Sequence, residues 1–587
     1  MKKFDFLLVG INAKYIHLNP ALYSLKYSVF EELREHVSIA EYTINHVYEK
    51  ILMDIVSRQP DAIGISCYIW NAEIVKILCQ DLAKVLPHVP IWLGGPEAAW
   101  SDDRLFDELP ITGIMYGDGE VVFPELLNAY VSWKQLNGWG DTSTTQRGEC
   151  LSENMAVSGL LSGIRGLRLY NAVGEVIDTG MPETADMDRL PFFYDKADIS
   201  NRIVYYESSR GCPFGCSYCL SAADRHMRYR SLSLVLSELQ WFLDHKVPQV
   251  KFLDRTFNSD RRRTVAIWQY LLDHDNGVTN FHFEITADLM GQEEIDLLGQ
   301  MRPGLVQLEI GVQSTNPKTL EAINRRTDIG RLSKVVEWIR EAGNVHQHLD
   351  LIAGLPWEDM VSFKNSFNQV YGMKPSQLQL GFLKVLKGSP IATRTEEFGI
   401  VFRDHAPYEV LSTKWISYMD VIRLKGVEDM VETYYNSHQF DLTMRALERE
   451  FDSCFDLYDA LASYGCRTNP EGRSLSRTGL YEQLRGFIHE NSVNCAECFD
   501  TLLTMDYYLR EHARKRPSFA VGRELPSPGH SKDQHREQIN FDLERFLSGG
   551  EVIVGFEIWQ IDYTQRSPIT NNALLRKEIH RDDELKE

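Results

Sequence analysis

The sequence predicts an α/β protein in which an open Rossmann-like sheet, a partial six-stranded barrel and a mainly helical region follow one another. Strand-like and helix-like runs alternate over residues 1–140 and again over residues 201–392. This alternation is typical of parallel sheets covered by helices. From residue 393 to residue 587 the runs are mostly helical. Residues 141–200 are polar, small and proline-containing, which predicts a linker.

The first region begins with FDFLLVGIN, a continuous apolar run expected for a strand covered on both faces. AIGISCYIW and VPIWLGGPEA predict further buried strands with helices between them. Ligands of such sheets bind at the carboxyl ends of the strands. Those ends are GINAKYIH, SCYIWN, GGPEA and GDGE, and their glycines allow a ligand to approach the backbone closely. Because no G-x-G-x-x-G follows the first strand, a dinucleotide is disfavoured.

The second region carries six strand-like runs that alternate with helices. A full (β/α) barrel has eight strands, so six predict an open or partly closed barrel. Chemistry in this architecture gathers at the carboxyl ends of the strands. A cysteine-rich loop and the stretches DRTFN, TAD, GVQS and AGLP all lie at those ends.

The loop ESSRGCPFGCSYCLSA, residues 207–222, holds three of the ten cysteines: Cys212, Cys216 and Cys219. A disulfide framework needs an even number of thiols and an oxidising compartment. A structural zinc site needs four ligands, which usually arrive in pairs. An iron–sulfur cluster with three protein thiolates leaves one iron open to another ligand. The odd number therefore favours the cluster, and Gly211 and Gly215 are expected to let the loop wrap tightly around it.

The spacing C-x3-C-x2-C, with Tyr218 just before the last cysteine, resembles the signature of the radical SAM superfamily. The resemblance extends over residues 200–390. It implies that Cys212, Cys216 and Cys219 bind a [4Fe–4S] cluster whose fourth iron is chelated by S-adenosylmethionine (SAM). One electron then cleaves SAM to methionine and a 5′-deoxyadenosyl radical, which takes hydrogen from unactivated carbon.

The same resemblance implies SAM contacts at the strand ends. They are Tyr218, Asp254, Asn258, Glu309, Gln313, Ile352, Gly354 and Leu355. The alternatives are packing for Tyr218 and a buried structural pair for Glu309 and Gln313. The glycine-rich motif that the family usually carries after the second barrel strand is not recognisable in this sequence. Three arginines, Arg210, Arg228 and Arg230, are candidates for neutralising a carboxylate, and surface ion pairs are the preferred interpretation of the last two.

The N-terminal region, with GGPEA followed by GDGE, resembles the cobalamin-binding domain of many B12-dependent radical SAM enzymes. The resemblance implies cobalamin contacts at Asn12, Lys14, Tyr15, Ser66, Tyr68, Gly94, Gly95, Pro96, Glu97, Gly117, Gly119 and Glu120. The D-x-H-x-x-G motif that offers a histidine to cobalt is absent from the sequence. A corrinoid is therefore expected to have its lower face free of a protein histidine, and His17 is interpreted as a loop histidine. The alternative is that this domain has lost the cofactor and only shapes the site.

Residues 393–587 resemble the uncharacterised domain that follows the radical domain in one branch of B12-binding radical SAM proteins, and this resemblance implies no substrate. GGEVIVGFEIWQIDYTQRSPI predicts a terminal strand or hairpin. The cysteines of the region are Cys454, Cys466, Cys495 and Cys498. They could bind zinc or a second cluster, but the helical run ECFDTLLTMDYYL favours structural, apolar cysteines.

The charge and hydropathy of the 587 residues limit the partners. A net charge of −21 argues against a broad phosphate-binding surface, so nucleic acid is not expected. No apolar run approaches the roughly 20 residues of a membrane helix. The start MKKFDFLLVG lacks a cleavage site and predicts a buried strand rather than a signal peptide. A cytoplasmic location follows, where clustered thiols bind metal more often than they form disulfides.

The leading hypothesis is a cobalamin-dependent radical SAM enzyme that methylates an unactivated carbon (or phosphorus) of an unknown small molecule. It requires a [4Fe–4S] cluster, SAM, cobalamin and an electron donor such as flavodoxin or ferredoxin. One alternative is a non-methylating cyclisation, rearrangement or oxidation. Another is a sensor that binds a corrinoid or a cluster without turnover. RNA modification, including methylthiolation, is disfavoured by the acidic charge.

Overall fold

The computed structural model describes residues 3–137, 159–171, 173–491, 493–513, 515–526 and 533–578. The chain divides into two compact units. The first comprises Met1–Glu284, Lys384–Glu397 and Val401–Val410. The second comprises Ile285–Leu383, Phe398–Ile400 and Leu411–Glu587. Cys150 and the predicted linker up to residue 158 lie outside the described residues.

Seven strands form the N-terminal sheet of the first unit. They are β1 (Phe6–Asn12), β2 (Val37–Thr43), β3 (Ala62–Ser66), β4 (Ile91–Gly94), β5 (Gly113–Met115), β6 (Leu167–Tyr170) and β7 (Val176–Asp178). Their order in the sheet is β2-β1-β3-β4-β5-β6-β7. The first five run parallel, so their carboxyl ends share one edge of the sheet.

Helices cover both faces of this sheet. They are α1 (Pro20–Ser28), α2 (Tyr48–Arg58), α3 (Ala72–Val85), α4 (Pro96–Ala99), α5 (Arg104–Glu108) and α6 (Gly119–Asn137). Leu7 and Val9 of β1 belong to an apolar cluster with α2 and α3, whereas Phe6 and Leu8 belong to a second cluster with α1 and α6. The strand is buried along its whole length, as its continuous apolar run predicts.

Part of the predicted linker belongs to the sheet. β6 pairs antiparallel with β5, and β7 pairs antiparallel with β6. The alternating stretch LRLY buries Leu167 and Leu169 on one side, and this short pattern is easily overlooked within a polar segment. The predicted domain boundaries otherwise stay a prediction.

The central region of the first unit contributes three parallel strands and a two-stranded ribbon. Its strands are β8 (Val204–Tyr206), β9 (Ser209–Arg210), β10 (Arg228–Tyr229), β11 (Gln249–Phe252) and β12 (Asn280–Ile285), and its helices are α7 (Leu232–Asp244) and α8 (Arg261–Asp273). β11 pairs parallel with both β8 and β12. β9 and β10 pair antiparallel and form the ribbon.

The second unit continues the alternation of strands and helices. The strands are β13 (Val306–Gln313), β14 (His346–Ala353) and β15 (Gln377–Phe382), and the helices are α9 (Gln292–Gln300), α10 (Pro317–Ala322), α11 (Ile329–Ala342) and α12 (Met360–Gly372). β14 pairs parallel with both of its neighbours. The six strand-like runs predicted from the sequence are thus all strands, and the predicted α/β fold class is confirmed.

Short elements and then helices follow β15. They are α13 (Thr395–Phe398), β16 (Val401–Phe402), β17 (Val410–Ser412), α14 (Tyr418–Val431), α15 (Asp441–Leu447), α16 (Cys454–Thr468), α17 (Arg477–Glu490) and α18 (Ala496–Arg510).

The last part of the chain forms an antiparallel sheet of β18 (Arg523–Leu525), β19 (Gln534–Phe541), β20 (Val554–Arg566) and β21 (Ala573–Lys577), with α19 (Leu543–Leu547) between its middle strands. The terminal strand predicted from the sequence is therefore one member of a four-stranded sheet. None of the described helices has the length and apolarity to span a bilayer.

Candidate functional site

The three predicted cluster ligands lie in the segment between β9 and β10, here called the cysteine loop (residues 211–227). Cys212 and Cys216 are buried and Cys219 is half-buried. The Cys212 N–H donates to the Asp224 carbonyl oxygen at 3.0 Å, and the Cys219 N–H donates to the Cys216 carbonyl oxygen at 3.1 Å. The loop is therefore closed by its own backbone hydrogen bonds.

Gly211 occupies a position that only glycine fits. Its φ is +96°, and a Cβ placed there would lie 2.4 Å from the carbonyl oxygen of His226. Both the backbone angle and the close approach exclude a side chain. The geometry at Gly211 thus requires glycine for the tight loop, and the wrapping of Gly211 and Gly215 around a cluster stays a prediction.

Two hydroxyl groups lie near the thiols. Ser217 Oγ is buried and has no hydrogen-bond partner within the protein, a costly arrangement that a ligand would relieve. Cys212 Sγ lies 3.6 Å from Thr256 Oγ1, whose hydroxyl donates to the Arg255 carbonyl oxygen at 2.8 Å. Among the described residues, no three His, Cys, Asp or Glu side chains converge as ligands of a single ion do. A four-iron cluster is larger than one ion, so the thiolates that hold it stand further apart.

Asp254, a predicted SAM contact, is engaged by the chain that leads into the cysteine loop. Its carboxylate accepts hydrogen bonds from the Ser208 N–H (2.9 Å), Ser208 Oγ (2.7 Å) and Ser209 Oγ (2.5 Å). Burial raises the pKa of Asp254 to about 6, although the serine hydrogen bonds oppose that rise. Of the other predicted SAM contacts in this unit, Asn258 is buried in a single helical turn, Phe257–Ser259, and Tyr218 is half-buried in the cysteine loop.

The remaining predicted SAM contacts lie on β13 and β14 of the second unit. Gln313, the last residue of β13, is buried with a φ of +72°, and its Oε1 has no partner within the protein. An orphaned acceptor at the end of a strand suits a ligand with a donor group. Glu309 lies opposite His348 in the parallel register. The end of β14 carries half-buried Ile352, then Gly354 with a φ of +87°, then fully buried Leu355.

A buried carboxyl near these strand ends was missed in the sequence. Glu358 is 1% exposed, and its Oε1 accepts hydrogen bonds from Ser314 Oγ (2.5 Å) and Ser366 Oγ (3.2 Å). Its Oε2 has no partner. Burial raises the pKa of Glu358 to about 7 in spite of the two serine hydrogen bonds. Its position in the exposed-looking stretch PWEDM gave no signal of burial.

A cavity of about 180 Å³ opens at the carboxyl edge of the N-terminal sheet. Seven of the predicted cobalamin contacts line it: Ser66, Tyr68, Gly94, Gly95, Gly117, Gly119 and Glu120. Apolar side chains of the sheet, α1 and α6 form the other walls, among them Phe6, Leu22, Trp92 and Phe123. A cavity of about 150 Å³ already holds one benzene ring, so the space and its apolar walls suit a flat aromatic group.

The other five predicted cobalamin contacts do not line this cavity. Lys14 and Tyr15 are exposed, and Pro96 begins α4. The Asn12 amide donates to Glu41 Oε1 and to a backbone carbonyl, each at 3.1 Å. Glu97 accepts from Lys387 Nζ at 2.8 Å and from the Tyr408 hydroxyl. Asn12 and Glu97 are thus occupied by partners inside the first unit.

Two aromatic contacts involve His17 and the cavity residue Tyr68. His17 does not line the cavity, and its Nδ1 lies 2.5 Å from the Tyr205 hydroxyl. Burial lowers the pKa of His17, and the charges of Lys14 and Lys251 lower it further. At the cavity wall, Tyr68 instead stacks on the ring of Trp70 at 4.4 Å. Trp70 was missed, although its place at the end of a predicted strand could have drawn attention to it.

The three arginines all bind carboxylates of the protein itself. Arg210 uses its five N–H groups on Glu207 (2.9 and 2.7 Å), Asp118 (2.9 Å) and Glu120 (3.2 and 3.1 Å). Burial alone would raise the pKa of Asp118 and of Glu120, but the charge of Arg210 together with the hydrogen bonds to both carboxylates outweighs it and holds both pKa values below their ordinary range. Arg228 also donates to Asp118.

The surface pairing predicted for Arg228 and Arg230 is wrong. The side chain of Arg228 is 12% exposed, and that of Arg230, which binds Glu238, is 5% exposed. Glu238 stands eight residues after Arg230 and Asp224 four residues before Arg228, so these two pairs are local and only their burial was missed. The pairing of Arg228 with Asp118, 110 residues earlier, has no signal in the sequence.

Three family models match consecutive parts of the chain. They are the B12 binding domain at residues 7–127, the radical SAM superfamily at residues 206–370 and a protein family of unknown function, DUF4080, at residues 396–549. The chain is a radical SAM protein with a B12-binding domain. The matches confirm the predicted enzyme class, a B12-dependent radical SAM enzyme, and the three cofactors: a [4Fe–4S] cluster, SAM and cobalamin. They also confirm the resemblance of the last region to an uncharacterised domain.

Similar proteins include methyltransferases and a cyclase. The chain is 24% identical over 355 residues to the cobalamin-dependent radical SAM methyltransferase TokK of Streptomyces tokunonensis, a match that covers 58% of this chain and 50% of TokK. It is 22% identical over 344 residues to the anaerobic magnesium-protoporphyrin IX monomethyl ester cyclase of Rubrivivax gelatinosus, covering 56% of this chain and 57% of the cyclase. The chain thus spans little more than half the length of these relatives.

A solved structure shares the fold of this radical SAM protein. The cobalamin-dependent SAM radical enzyme OxsB, with aqua-cobalamin and SAM bound, superimposes with a TM-score of 0.55 at 15% identity. The match covers 86% of this chain and 79% of OxsB.

The last cysteines of this radical SAM protein differ from the predicted arrangement. Cys495 and Cys498 are joined by a disulfide at the start of α18. Cys498 is buried as predicted, but as a disulfide rather than as an apolar thiol. Cys454 is half-buried and Cys466 is exposed.

Proposed function

We propose that this radical SAM protein methylates an unactivated carbon of a small molecule. The observation that carries the proposal is that Glu120 links two sites. It lines the glycine-rich cavity of the B12-binding domain and accepts hydrogen bonds from Arg210, which stands two residues before Cys212. A cobalamin site and a cluster site that share one short chain of contacts suit an enzyme that uses both cofactors on one substrate.

The residues that fit the cofactors can be assigned roles. Cys212, Cys216 and Cys219 would hold the cluster, and the buried Ser217 hydroxyl would donate a hydrogen bond to it. We infer that the flat base on the nucleotide arm of cobalamin takes the apolar cavity beside Gly94. When bound, these groups supply one-electron cleavage of SAM at the cluster and methyl transfer through cobalt.

The protein's own part is to orient and to exclude water. Asp254 braces Ser208 and Ser209 at the entrance to the cysteine loop, and Gly211 lets the loop close. Phe6, Trp92 and the other apolar walls of the cavity offer water few hydrogen-bond partners. Holding reactants in a fixed geometry is the largest contribution that a protein can make to chemistry that belongs to its cofactors.

The test uses protein purified without oxygen, reconstituted with iron, sulfide and cobalamin, and given SAM and a low-potential reductant. We expect 5′-deoxyadenosine and S-adenosylhomocysteine to form together, and the Cys216→Ala variant to form no deoxyadenosine. Failure of the wild type to cleave SAM, with a full complement of iron, would refute the radical reaction and revive the sensor hypothesis.

A second candidate is a radical cyclisation, rearrangement or oxidation without methyl transfer. The match to a cyclase at 22% identity favours keeping it. Deoxyadenosine without S-adenosylhomocysteine would support this candidate over the methyltransferase. RNA modification stays disfavoured by the charge of −21, and salt-sensitive tRNA binding would reverse that judgement.

The partners and location are part of the same proposal. We expect a small-molecule substrate, a low-potential electron donor such as flavodoxin or ferredoxin, and a cytoplasmic location. Reduction of the cluster by flavodoxin at a rate that supports SAM cleavage would support that donor.

A further inference from the structure

The cysteine loop has a narrow neck made of two register partners. Arg210 of β9 and Arg228 of β10 pair directly across the ribbon, one at each end of the loop. Both arginines donate to Asp118, Arg210 to its Oδ1 at 2.9 Å and Arg228 to its Oδ2. One carboxylate therefore bridges β9 and β10, the two strands that the cysteine loop connects.

Asp118 belongs to the B12-binding domain. It lies in the segment Gly117–Glu120, here called the turn, which enters α6 at Gly119, and the flanking residues Gly117, Gly119 and Glu120 line the proposed cobalamin cavity. The Ala185 N–H donates to Asp118 at 2.8 Å and fixes the carboxylate from the other side. The turn that shapes one cofactor site thus contacts the neck of the loop that shapes the other.

The contacts leave no room for a ligand on Arg210. All five of its N–H groups are engaged by Asp118, Glu120 and Glu207. The side chains of Arg210, Arg228 and Asp118 are 19%, 12% and 14% exposed. Bidentate and shared arginine–carboxylate bonds of this kind fix direction as well as distance. A saturated, largely buried guanidinium orients its neighbours and does not bind substrate.

We propose that Asp118, Arg210 and Arg228 form a clamp that sets the register between the cobalamin cavity and the cysteine loop. The three side chains are then positioning residues for methyl transfer, an inference that rests on the proposed function. Because none of these three side chains is a cluster thiolate or lines the cavity, an error in this register would separate the reacting groups without removing either cofactor. A misplacement of about 1 Å costs on the order of 100-fold in rate.

The experiment compares Asp118→Asn with Glu238→Gln in the fully loaded protein. Both changes convert a carboxylate beside an arginine to the matching amide. Glu238, however, accepts its hydrogen bonds from Arg230 and Tyr206, which both lie outside the Gly117–Glu120 turn. Two quantities are measured. One is S-adenosylhomocysteine formed in a single turnover from SAM and reduced cobalamin. The other is the magnetic interaction between cob(II)alamin and the reduced cluster by electron paramagnetic resonance, which depends steeply on their separation.

For Asp118→Asn we expect wild-type iron and cobalamin contents, a rate of S-adenosylhomocysteine formation about 10- to 100-fold lower, and an altered magnetic interaction. Glu238→Gln should match the wild type in both readouts. If Asp118→Asn does not fold or takes up no iron, Arg228→Lys is used instead. It keeps the positive charge but loses the planar guanidinium that donates to Asp118, and the same results are expected. A variant with the wild-type magnetic interaction would overturn the clamp, whatever its rate of S-adenosylhomocysteine formation.

The two proposals fail in different ways. A wild type that forms no S-adenosylhomocysteine would refute methyl transfer, yet the magnetic comparison of the loaded proteins would still decide the clamp. An unchanged magnetic interaction in Asp118→Asn, with normal methyl chemistry in the wild type, would refute the clamp alone.

Discussion

Replacing Gly211 by alanine should empty the cysteine loop of its cluster. The new Cβ would lie 2.4 Å from the carbonyl oxygen and 3.0 Å from the carbonyl carbon of His226. Ordinary contacts begin near 3.4 Å, so the two segments must part by about 1 Å. A backbone oxygen cannot rotate away as a side chain can. The shift acts next to Cys212, whose N–H is held by the Asp224 carbonyl at 3.0 Å.

A matched control separates the clash from the cost of the backbone angle. Gly277 has a φ of +73° and nothing within 4 Å of its Cβ position. Alanine at either glycine costs about 1–2 kcal/mol for a positive φ. Only Gly211→Ala adds overpacking, which typically costs about 1–3 kcal/mol. If this overpacking energy is relieved only when the cluster is lost, the affinity of the loop for the cluster falls roughly 5- to 150-fold.

The assay is iron and sulfide per chain after anaerobic reconstitution, together with the electron paramagnetic resonance spectrum of the reduced cluster. We expect Gly277→Ala to resemble the wild type and Gly211→Ala to lose most of its iron while keeping its far-ultraviolet circular dichroism. A Gly211→Ala protein with wild-type iron would refute the steric reasoning. Equal iron loss in both variants would show that the clash plays no part.

Three further predictions concern buried groups of both units. Because burial raises the pKa of Glu358 from 4.5 to about 7, its contribution favours folding at low pH and is lost as pH rises through 7, by about 3 kcal/mol. Glu358→Gln keeps the oxygen that accepts from the neighbouring serines, so its unfolding free energy in urea should match the wild type near pH 5 and exceed it near pH 8; an unchanged pH dependence would contradict this. Gly94→Val places a side chain in the cavity where only Met115 lies within 4 Å, so cobalt content should fall with iron unchanged, and retention of cobalamin would count against the site. The Thr256 hydroxyl lies 3.6 Å from the Cys212 sulfur but donates its hydrogen to the Arg255 carbonyl at 2.8 Å, so Thr256→Val should leave the reduction potential of the cluster unchanged or higher in a redox titration; a lower potential would show that the hydroxyl turns to the sulfur when the cluster is bound.

The parts of the site that could be predicted from the sequence are those that short patterns encode. The cysteine spacing indicated the cluster because three thiols in eight positions have few other uses. Glycines at the ends of β4 and β5, and the stretch SCYIWN at the end of β3, pointed to the cavity because parallel strands end on one edge. Seven predicted cobalamin contacts line that cavity for this reason.

The parts that could not be predicted depend on partners far along the chain. Glu97 was expected to face a ligand, but it binds Lys387 and Tyr408, which return to the first unit from beyond the barrel strands. Asp254 lies at a strand end as predicted, but its oxygens accept from Ser208 and Ser209. The type of a residue and its position along the chain do not reveal which neighbour donates a hydrogen bond to it.

By itself, the sequence determined the order of the three regions, the parallel strands and the close spacing of Cys212, Cys216 and Cys219 in this radical SAM protein. Periodicity and close spacing are local properties, and local geometry follows from them directly. Only the tertiary structure decided that Asp118 holds both Arg210 and Arg228. Which buried charges meet depends on how distant segments fold onto one another, because an ion pair is chosen by distance in space and by the exclusion of water, and neither is written in the spacing of residues.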